Sequence, residues 1–323
     1  MVPPATFTSY YGRPVVKPSP WQADIPAYLF LGGLAGASSM LAAGAAATGR
    51  PALRRTGRLG ALGAISLGFA ALIHDLGRPE RFLKMLRVAK PTSPMSVGTW
   101  ILTAYGPLAG VAAAGDLADL LPGRLTRLGA PLRALAAPAG IGAAALGGGV
   151  ASYTAVLLAN TATPAWHEAR RELPFVFIGS AAASAGGLGM LGAPVAQAGP
   201  ARRLAAGGVA VEYVAARRMR DSMGITAEAL HSGRVGRLMS ASRALDIAGA
   251  AAGLVLGRRS RVIATLSGAA LLAGAGCLRV AVFEAGQQSA RDPRYTVVPQ
   301  RQRVELRAAG QPVDNQTSTR LCS

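Results

Sequence analysis

The sequence predicts an all-α integral membrane protein whose eight transmembrane helices form two four-helix bundles. Of its 323 residues, 51% are hydrophobic and only 15% are charged, whereas roughly a quarter are charged in ordinary soluble domains. The net charge is +19, but the arginines stand in short clusters between long apolar runs. This pattern is typical of a membrane-spanning chain and not of the basic face with which a soluble protein binds nucleic acid.

The long apolar runs are the predicted spans. A helix needs about 20 apolar residues to cross a bilayer core of about 30 Å. Two short runs, 204–216 with Glu212 and 244–257 with Asp246, are also predicted to span, because helices inside a bundle tolerate a carboxyl group. The other six predicted spans are 25–47, 59–76, 95–115, 134–159, 172–193 and 262–287.

A weak internal repeat relates the two halves of the chain. Asp24 precedes Pro26 at the start of the first span, and Glu172 precedes Pro174 at the start of the fifth. Proline suits the first turn of a helix, and an acid there suits the positive end of the helix dipole. Coincidence in a sequence rich in Gly and Ala is the alternative explanation. The predicted units are an N-terminal bundle over 1–160, a C-terminal bundle over 161–290 and an extended or disordered tail over 291–323.

Eight spans place both termini on one side of the membrane, which we call the terminal face. The opposite face receives short loops, among them 48–58 and 116–133, that are dense in arginine. Because short basic loops stay in the cytoplasm, the terminal face is predicted to be extracytoplasmic. The orientation depends on loop charge alone.

Cysteine and histidine counts bear on the cofactors. The two cysteines, Cys277 and Cys322, are far apart, and His74, His167 and His231 lie near span ends or in loops. An iron–sulfur cluster needs about four thiolates, and structural zinc sites need several Cys or His ligands. We therefore expect no metal site, no haem and no iron–sulfur cluster in this chain.

Titratable side chains concentrate at the terminal face, where they indicate a quinone site. A quinone head group is small and apolar with two carbonyl oxygens, so it needs donors, a proton acceptor and a slot open to lipid. His74, Asp75, Asp24 and Tyr28 are predicted to supply these groups. The alternative for each residue alone is a capping or interface-anchoring role.

A second group of ionisable residues lies within the last two spans. Arg279 stands about 12 Å from the end of its helix, at 1.5 Å per residue. A cation at that depth requires an anionic neighbour, which Asp246 or Glu284 would supply. These three residues are predicted to form a proton route, and they also leave open a transporter or proton-conducting unit.

Three segments resemble the NrfD / polysulfide reductase membrane-subunit family. They are Trp21–Gly36, His74-Asp-Leu-Gly-Arg-Pro79 and the Ser-Pro-Met-Ser-Val-Gly stretch within Lys90–Trp100. The Gly-Arg-Val-Gly-Arg stretch at 233–237 is similar as well. The resemblance covers roughly residues 20–290.

The resemblance implies a bacterial cell-membrane subunit with no redox cofactor of its own. It implies a docked ferredoxin-like iron–sulfur subunit that joins a molybdopterin or multihaem catalytic subunit, and a bound quinone or menaquinol near the start of the first helix. Arg78 is expected to stabilise the deprotonated quinol. The residues that the resemblance places in the quinone zone are Asp24, Tyr28, His74, Asp75 and, more distantly, Tyr153 and Asn160. It places Asp246 and Arg279 at buried polar positions. A purely structural anchor is the third hypothesis.

Overall fold

The computed structural model describes residues 14–78, 80–118 and 129–310, which are helical wherever they have regular structure. The helices are α1 (Asp24–Ala47), α2 (Pro51–Asp75), α3 (Glu80–Met85), α4 (Pro94–Ala118), α5 (Ala130–Ala159), α6 (Pro164–Glu168), α7 (Leu173–Gly192), α8 (Gly199–Ser222), α9 (Gly233–Val255), α10 (Arg261–Arg291) and α11 (Arg294–Ala308). Outside the described residues lie Pro79 of the family motif, most of the predicted loop 116–133, the end of the predicted tail, and Cys322.

Seven of the helices in the described ranges are long and apolar enough to cross a membrane: α1, α2, α4, α5, α7, α9 and α10. The protein is therefore a multi-pass membrane protein. All but the last two residues of the short run 244–257 fall within α9, and its prediction as a span is supported. The run 204–216 falls within α8, which has 24 residues but is too polar overall to qualify.

The helices pack against one another within each half of the chain, and the two halves are also in contact. In the first half α1 packs against α2 and α5, and α4 packs against α5; in the second half α7 packs against α8 and α10, and α9 packs against α10. The halves join where α1 and α5 contact α7. Glycine permits helices to cross at short distance. A Cβ atom on Gly36 would clash with the carbonyl oxygen of Gly147, and one on Gly187 would clash with that of Gly268.

Arg261, the first residue of α10, ties the start of α10 to the end of α7. Its Nη1 donates to the carbonyl oxygens of Met190 at 2.8 Å and Ala193 at 2.6 Å, and its Nη2 donates to that of Leu191. These carbonyls belong to the end of α7, where helix carbonyls have no partner in their own helix. Arg261 thus caps one helix with the first residue of another.

Some predictions of where helices begin and end are wrong in the described residues, above all for the tail and for the segment 48–58. The tail over 291–323 was expected to be extended or disordered, but Arg294–Ala308 forms α11, which follows Pro293 and buries Tyr295. The segment 48–58 was expected to be a loop, but α2 begins at Pro51 and continues through it. The arginines of that segment can enter the helix because Asp116 pairs with two of them.

Candidate functional site

The start of α1 and the end of α2 meet at the terminal face through two polar contacts. The His74 Nδ1 atom lies 2.9 Å from Asp24 Oδ2, and the backbone N–H of Gln22 donates to Asp75 Oδ1 at 3.3 Å. The His74 side chain is 80% exposed and that of Asp24 is 29% exposed. The structure thus brings together three of the residues that the sequence singled out, at one water-accessible rim.

Tyr28 lies one turn below Asp24 on α1 and faces the protein interior. It is 2% exposed, and its hydroxyl has no hydrogen-bond partner among the described residues. Tyr153 of α5 is half-buried, with its ring against Gly98 of α4, and it packs on the same apolar cluster as Tyr28. A buried unpaired hydroxyl costs about 1–3 kcal/mol. Tyr28 is therefore a donor that a bound molecule could satisfy.

Arg78 lies beyond the end of α2 and is exposed. The preceding Gly77 has φ of 65°, a left-handed conformation that turns the chain away from the helix axis. Arg78 therefore contributes positive charge to the terminal face rather than to the packed interior.

A cleft of about 810 Å³ opens beside the first turn of α1, between α1, α10 and the start of α9. We call it the α1–α10 cleft. Its apolar wall is formed by Pro26, Ala27, Phe30, Gly276, Val280 and Phe283. Its polar rim includes Gln22, Arg234, Glu284, Gln288 and Arg291. Among the sequence-predicted site residues, Glu284 lines this cleft, and Gln22 links the cleft to Asp75.

The polar rim of the cleft is held by side-chain contacts. Glu284 Oε1 lies 3.3 Å from Arg234 Nη1. Gln287 donates through Nε2 to the carbonyl oxygen of Ser19 at 3.0 Å, which fixes the segment before α1 against α10. Glu284 therefore pairs with Arg234, so of the two neighbours expected for Arg279, Asp246 lies near it and Glu284 does not.

Aromatic rings support the cleft from behind. The Trp166 ring centroid lies 5.9 Å from that of Trp21 and 5.7 Å from that of Phe283. Trp166 Nε1 donates to the carbonyl oxygen of Val282 at 2.8 Å. Because Trp166 is buried and fully paired, it fixes the cleft wall rather than binding a ligand. Sequence reasoning missed this support, since the three rings are far apart in the chain.

A buried polar cluster lies in the second half, and we call it the C-terminal polar cluster: Glu212 of α8, Asp246 of α9 and Arg279 of α10. Arg279 is 1% exposed, donates through Nη2 to the carbonyl oxygen of Phe177 at 2.9 Å, and lies 3.7 Å above the Phe177 ring centroid. Asp246 accepts from Ser242 at 3.1 Å, and its carboxyl lies next to that of Glu212.

The C-terminal polar cluster has two acids for one cation and keeps unused hydrogen-bonding atoms. Nε and Nη1 of Arg279, Oδ1 of Asp246 and Oε2 of Glu212 have no partner among the described residues. In the sequence, Glu212 was noticed because it weakens a span and was counted among the titratable residues at the terminal face, but it is buried between helices. Its helical spacing gives no sign that it faces Asp246, since the two residues belong to different helices.

A second buried charge cluster, which we call the N-terminal ion cluster, lies near the opposite face: Arg54 and Arg58 of α2 with Asp116 of α4. Asp116 Oδ1 lies 2.8 Å from Arg54 Nη2 and 3.2 Å from Arg58 Nη1. Arg58 also donates to the carbonyl oxygen of Ala112 at 3.4 Å. Both Arg58 and Asp116 were placed in loops from the sequence, and both are buried inside helices.

Comparison with known proteins identifies the family. The family model described as "Polysulphide reductase, NrfD" matches residues 15–202, which is more than half of the chain. No curated protein matches the sequence. The match covers both ends of the His74–Asp24 contact and all of α1, α2, α4, α5 and α7. The chain belongs to the NrfD family, whose members are membrane subunits of quinone-linked oxidoreductases.

Proposed function

We propose that this protein is the membrane anchor and quinol-reactive subunit of a respiratory oxidoreductase in a bacterial cell membrane. It exchanges electrons between the quinone pool and a docked iron–sulfur subunit, which connects it to a molybdopterin or multihaem catalytic subunit. Family membership supports this role. The observation that carries it is the α1–α10 cleft, which joins an apolar wall to a polar rim, while His74, Asp24 and Asp75 lie on the other side of the same first turn of α1.

The proposal includes eight spans in two four-helix bundles, with α8 as the span that hydropathy alone rejects. Between Arg203 and Arg217 the exposed face of α8 carries small or apolar residues and Tyr213, while Glu212 faces inward. These two arginines are 14 residues apart, or about 21 Å along a helix. Their long side chains can extend to the two membrane surfaces, so the lipid-facing part of α8 suits a bilayer.

The cleft has the size and polarity that a quinol requires. Ligand pockets typically measure about 300–1,000 Å³ and combine an apolar lining with a few polar groups. The isoprenoid tail would lie along the wall that includes Phe30 and Val280, and the ring would lie at the rim near Gln22 and Glu284. A quinol enters such a site from lipid without crossing water.

Quinol oxidation releases two electrons and two protons, and the rim offers acceptors for the protons. Glu284 lines the cleft, and the His74–Asp24 pair and Asp75 lie on the other side of the first turn of α1. Because His74 is exposed, protons that reach it pass directly to water at the terminal face, proposed to be extracytoplasmic. Arg78 adds positive charge there, which favours a deprotonated quinol. A partner that reduces quinone would run these steps in reverse.

The C-terminal polar cluster favours proton conduction as a second candidate function. Asp246 and Arg279, with Glu212, lie inside the helix bundle away from the rim, where ionisable groups are costly. In the quinol-reactive subunit this cluster would extend a proton route inward. As an independent function, it would conduct protons without any quinone.

The first prediction concerns a substitution that fills the α1–α10 cleft. A Cβ atom on Gly276 meets nothing within 4 Å, so Gly276→Trp places a large ring in the cleft without displacing the backbone. We expect quinone-linked turnover of the purified complex to fall by about tenfold or more, because a loss of about 1.4 kcal/mol in binding is tenfold. Turnover with a soluble electron donor or acceptor that bypasses quinone should remain.

The matched control is Gly148→Trp in α5, since a Cβ atom on Gly148 also meets nothing within 4 Å and this residue does not line the cleft. The control should keep quinone-linked turnover. Full turnover in Gly276→Trp would contradict the cleft as the quinol site and favour the interior near Tyr28 and Tyr153. Proton flux in vesicles without quinone would favour the second candidate function.

A further inference from the structure

A second surface groove lies between α7 and α8, on a part of the molecule that the quinol proposal does not use. The α7–α8 groove measures about 500 Å³. Its lower part is lined by Phe175, Val211 and Val214, which are all exposed large apolar side chains. Its upper end carries Arg171, Glu172 and Arg218. The groove therefore changes from basic to apolar along its length.

The direction of that change matches the membrane. α7 begins and α8 ends at the terminal face, so Arg171 and Arg218 lie at the level of the lipid head groups. Val211 is seven residues before Arg218, which places it about 10 Å deeper at 1.5 Å per residue. An occupant must thus have an anionic end at the surface and an apolar chain that enters the bilayer.

We propose that the α7–α8 groove binds an anionic phospholipid of the phosphatidylglycerol type. Two guanidinium groups and one carboxylate leave one net positive charge at the upper end, which a single phosphodiester neutralises. Arginine is well suited to phosphate oxygens because its planar N–H groups donate in pairs. An acyl chain covers Phe175, Val211 and Val214, whose exposure suits contact with lipid.

Glu172 selects among head groups. Its carboxylate lines the same end of the groove, so a second anionic group on the lipid would be repelled. The hydroxyl groups of a glycerol head group can donate to the carboxylate while the phosphate binds the arginines. A zwitterionic lipid carries no net charge, so it leaves the excess positive charge of the groove uncompensated.

The experiment measures lipid retention by native mass spectrometry of the full chain, purified and then supplied with phosphatidylglycerol, phosphatidylethanolamine or phosphatidylcholine. We expect one tightly held phosphatidylglycerol per chain. Arg171→Gln with Arg218→Gln should weaken its apparent affinity by at least about tenfold, since each basic residue near a membrane surface adds to the attraction for an anionic lipid. The control is Arg203→Gln with Arg217→Gln, two exposed arginines of α8 that do not line the groove. This pair should retain the lipid.

Equal retention of the three lipids, or retention that the groove variant does not change, would overturn the proposal. Displacement of the lipid by menaquinone would also overturn it, because the groove would then hold the quinone tail. Quinone-linked turnover is recorded on the same samples. A failed quinol proposal would appear as unchanged turnover in Gly276→Trp, which is independent of lipid retention in the α7–α8 groove.

Discussion

The two halves of this protein bury charge in different ways. In the N-terminal ion cluster, Asp116 lies within 3.2 Å of two guanidinium groups that approach it directly. In the C-terminal polar cluster, two acids surround Arg279, whose partners are instead a carbonyl oxygen and an aromatic ring. The first arrangement fixes the charges on particular atoms. In the second, Arg279, Asp246 and Glu212 each keep an atom without a partner among the described residues. In the first, Asp116 Oδ2 is also without such a partner, but Oδ1 of the same carboxylate contacts both arginines.

The difference teaches that burial alone does not make a charge functional. Arg54 of the first cluster is partly exposed, but the other members of both clusters are buried, where an isolated ion is energetically unfavourable. Closely paired charges favour one protonation state, so they hold helices together. Loosely paired acids can share one proton between them, because two neighbouring carboxylates resist simultaneous ionisation. We therefore expect structural effects from the first cluster and proton-transfer effects from the second.

The largest effect on stability should come from Asp116→Ala. The change leaves Arg54 and Arg58 without the buried carboxylate that both contact, and removing one partner of a buried ion pair costs about 3–5 kcal/mol. Thermal and chemical unfolding of the purified chain in one detergent measure the loss. A loss below about 1 kcal/mol would show that the N-terminal ion cluster is not a helix clamp.

A smaller loss is expected from the double change Glu212→Gln with Asp246→Asn. It removes both acids near Arg279 but keeps the Phe177 carbonyl and ring as partners for the guanidinium. We expect destabilisation by about 2 kcal/mol, less than for a buried charge left without any partner, because the retained carbonyl hydrogen bond contributes about 1.5–3 kcal/mol and the ring contact adds to it. The same unfolding measurement applies, and a loss as large as that of Asp116→Ala would remove the contrast between the clusters.

The smallest structural effect should come from Asp246→Asn alone. Asparagine keeps the shape and an acceptor for Ser242, and Glu212 remains to balance Arg279. The unfolding free energy should change by less than about 1 kcal/mol, as for most changes that create no cavity or unpaired charge. Proton uptake coupled to turnover in vesicles should nevertheless fall severalfold. Unchanged proton uptake would contradict a proton route through Asp246.

The sequence predicts the helices well and the contacts between them less well. Apolar run length identified six spans that the structure supports, and the tolerance of bundle helices for a carboxyl group added a seventh, the run 244–257. The family motif placed His74 and Asp75 opposite Asp24. Both predictions rest on residues that are close in the chain or at matching ends of neighbouring helices. Arg58 was misplaced in a loop because its hydropathy gives no sign of Asp116, which lies on another helix.

The cleft was missed for the same reason. The cleft forms between α1 and α10, which are far apart in the sequence. Its wall includes Gly276, Phe30 and Phe283, and in the sequence these residues are not distinguishable from other residues of a span. The short run 204–216 was predicted to span despite Glu212. That the Glu212 side chain faces inward could be seen only from the positions of the neighbouring helices. Tertiary packing, rather than local pattern, decides these features.

Arg261 has a consequence for how the chain is made. Proteins are synthesised from the amino end, so α7 enters the membrane well before the ribosome reaches residue 261. Until then, the carbonyl groups of Met190, Leu191 and Ala193 lack the guanidinium that they accept from in the finished protein. Assembly of the second half is thus completed by its final long helix. In any chain whose translation stops before residue 261, the end of α7 lacks this cap and is a recognisable substrate for quality-control proteases.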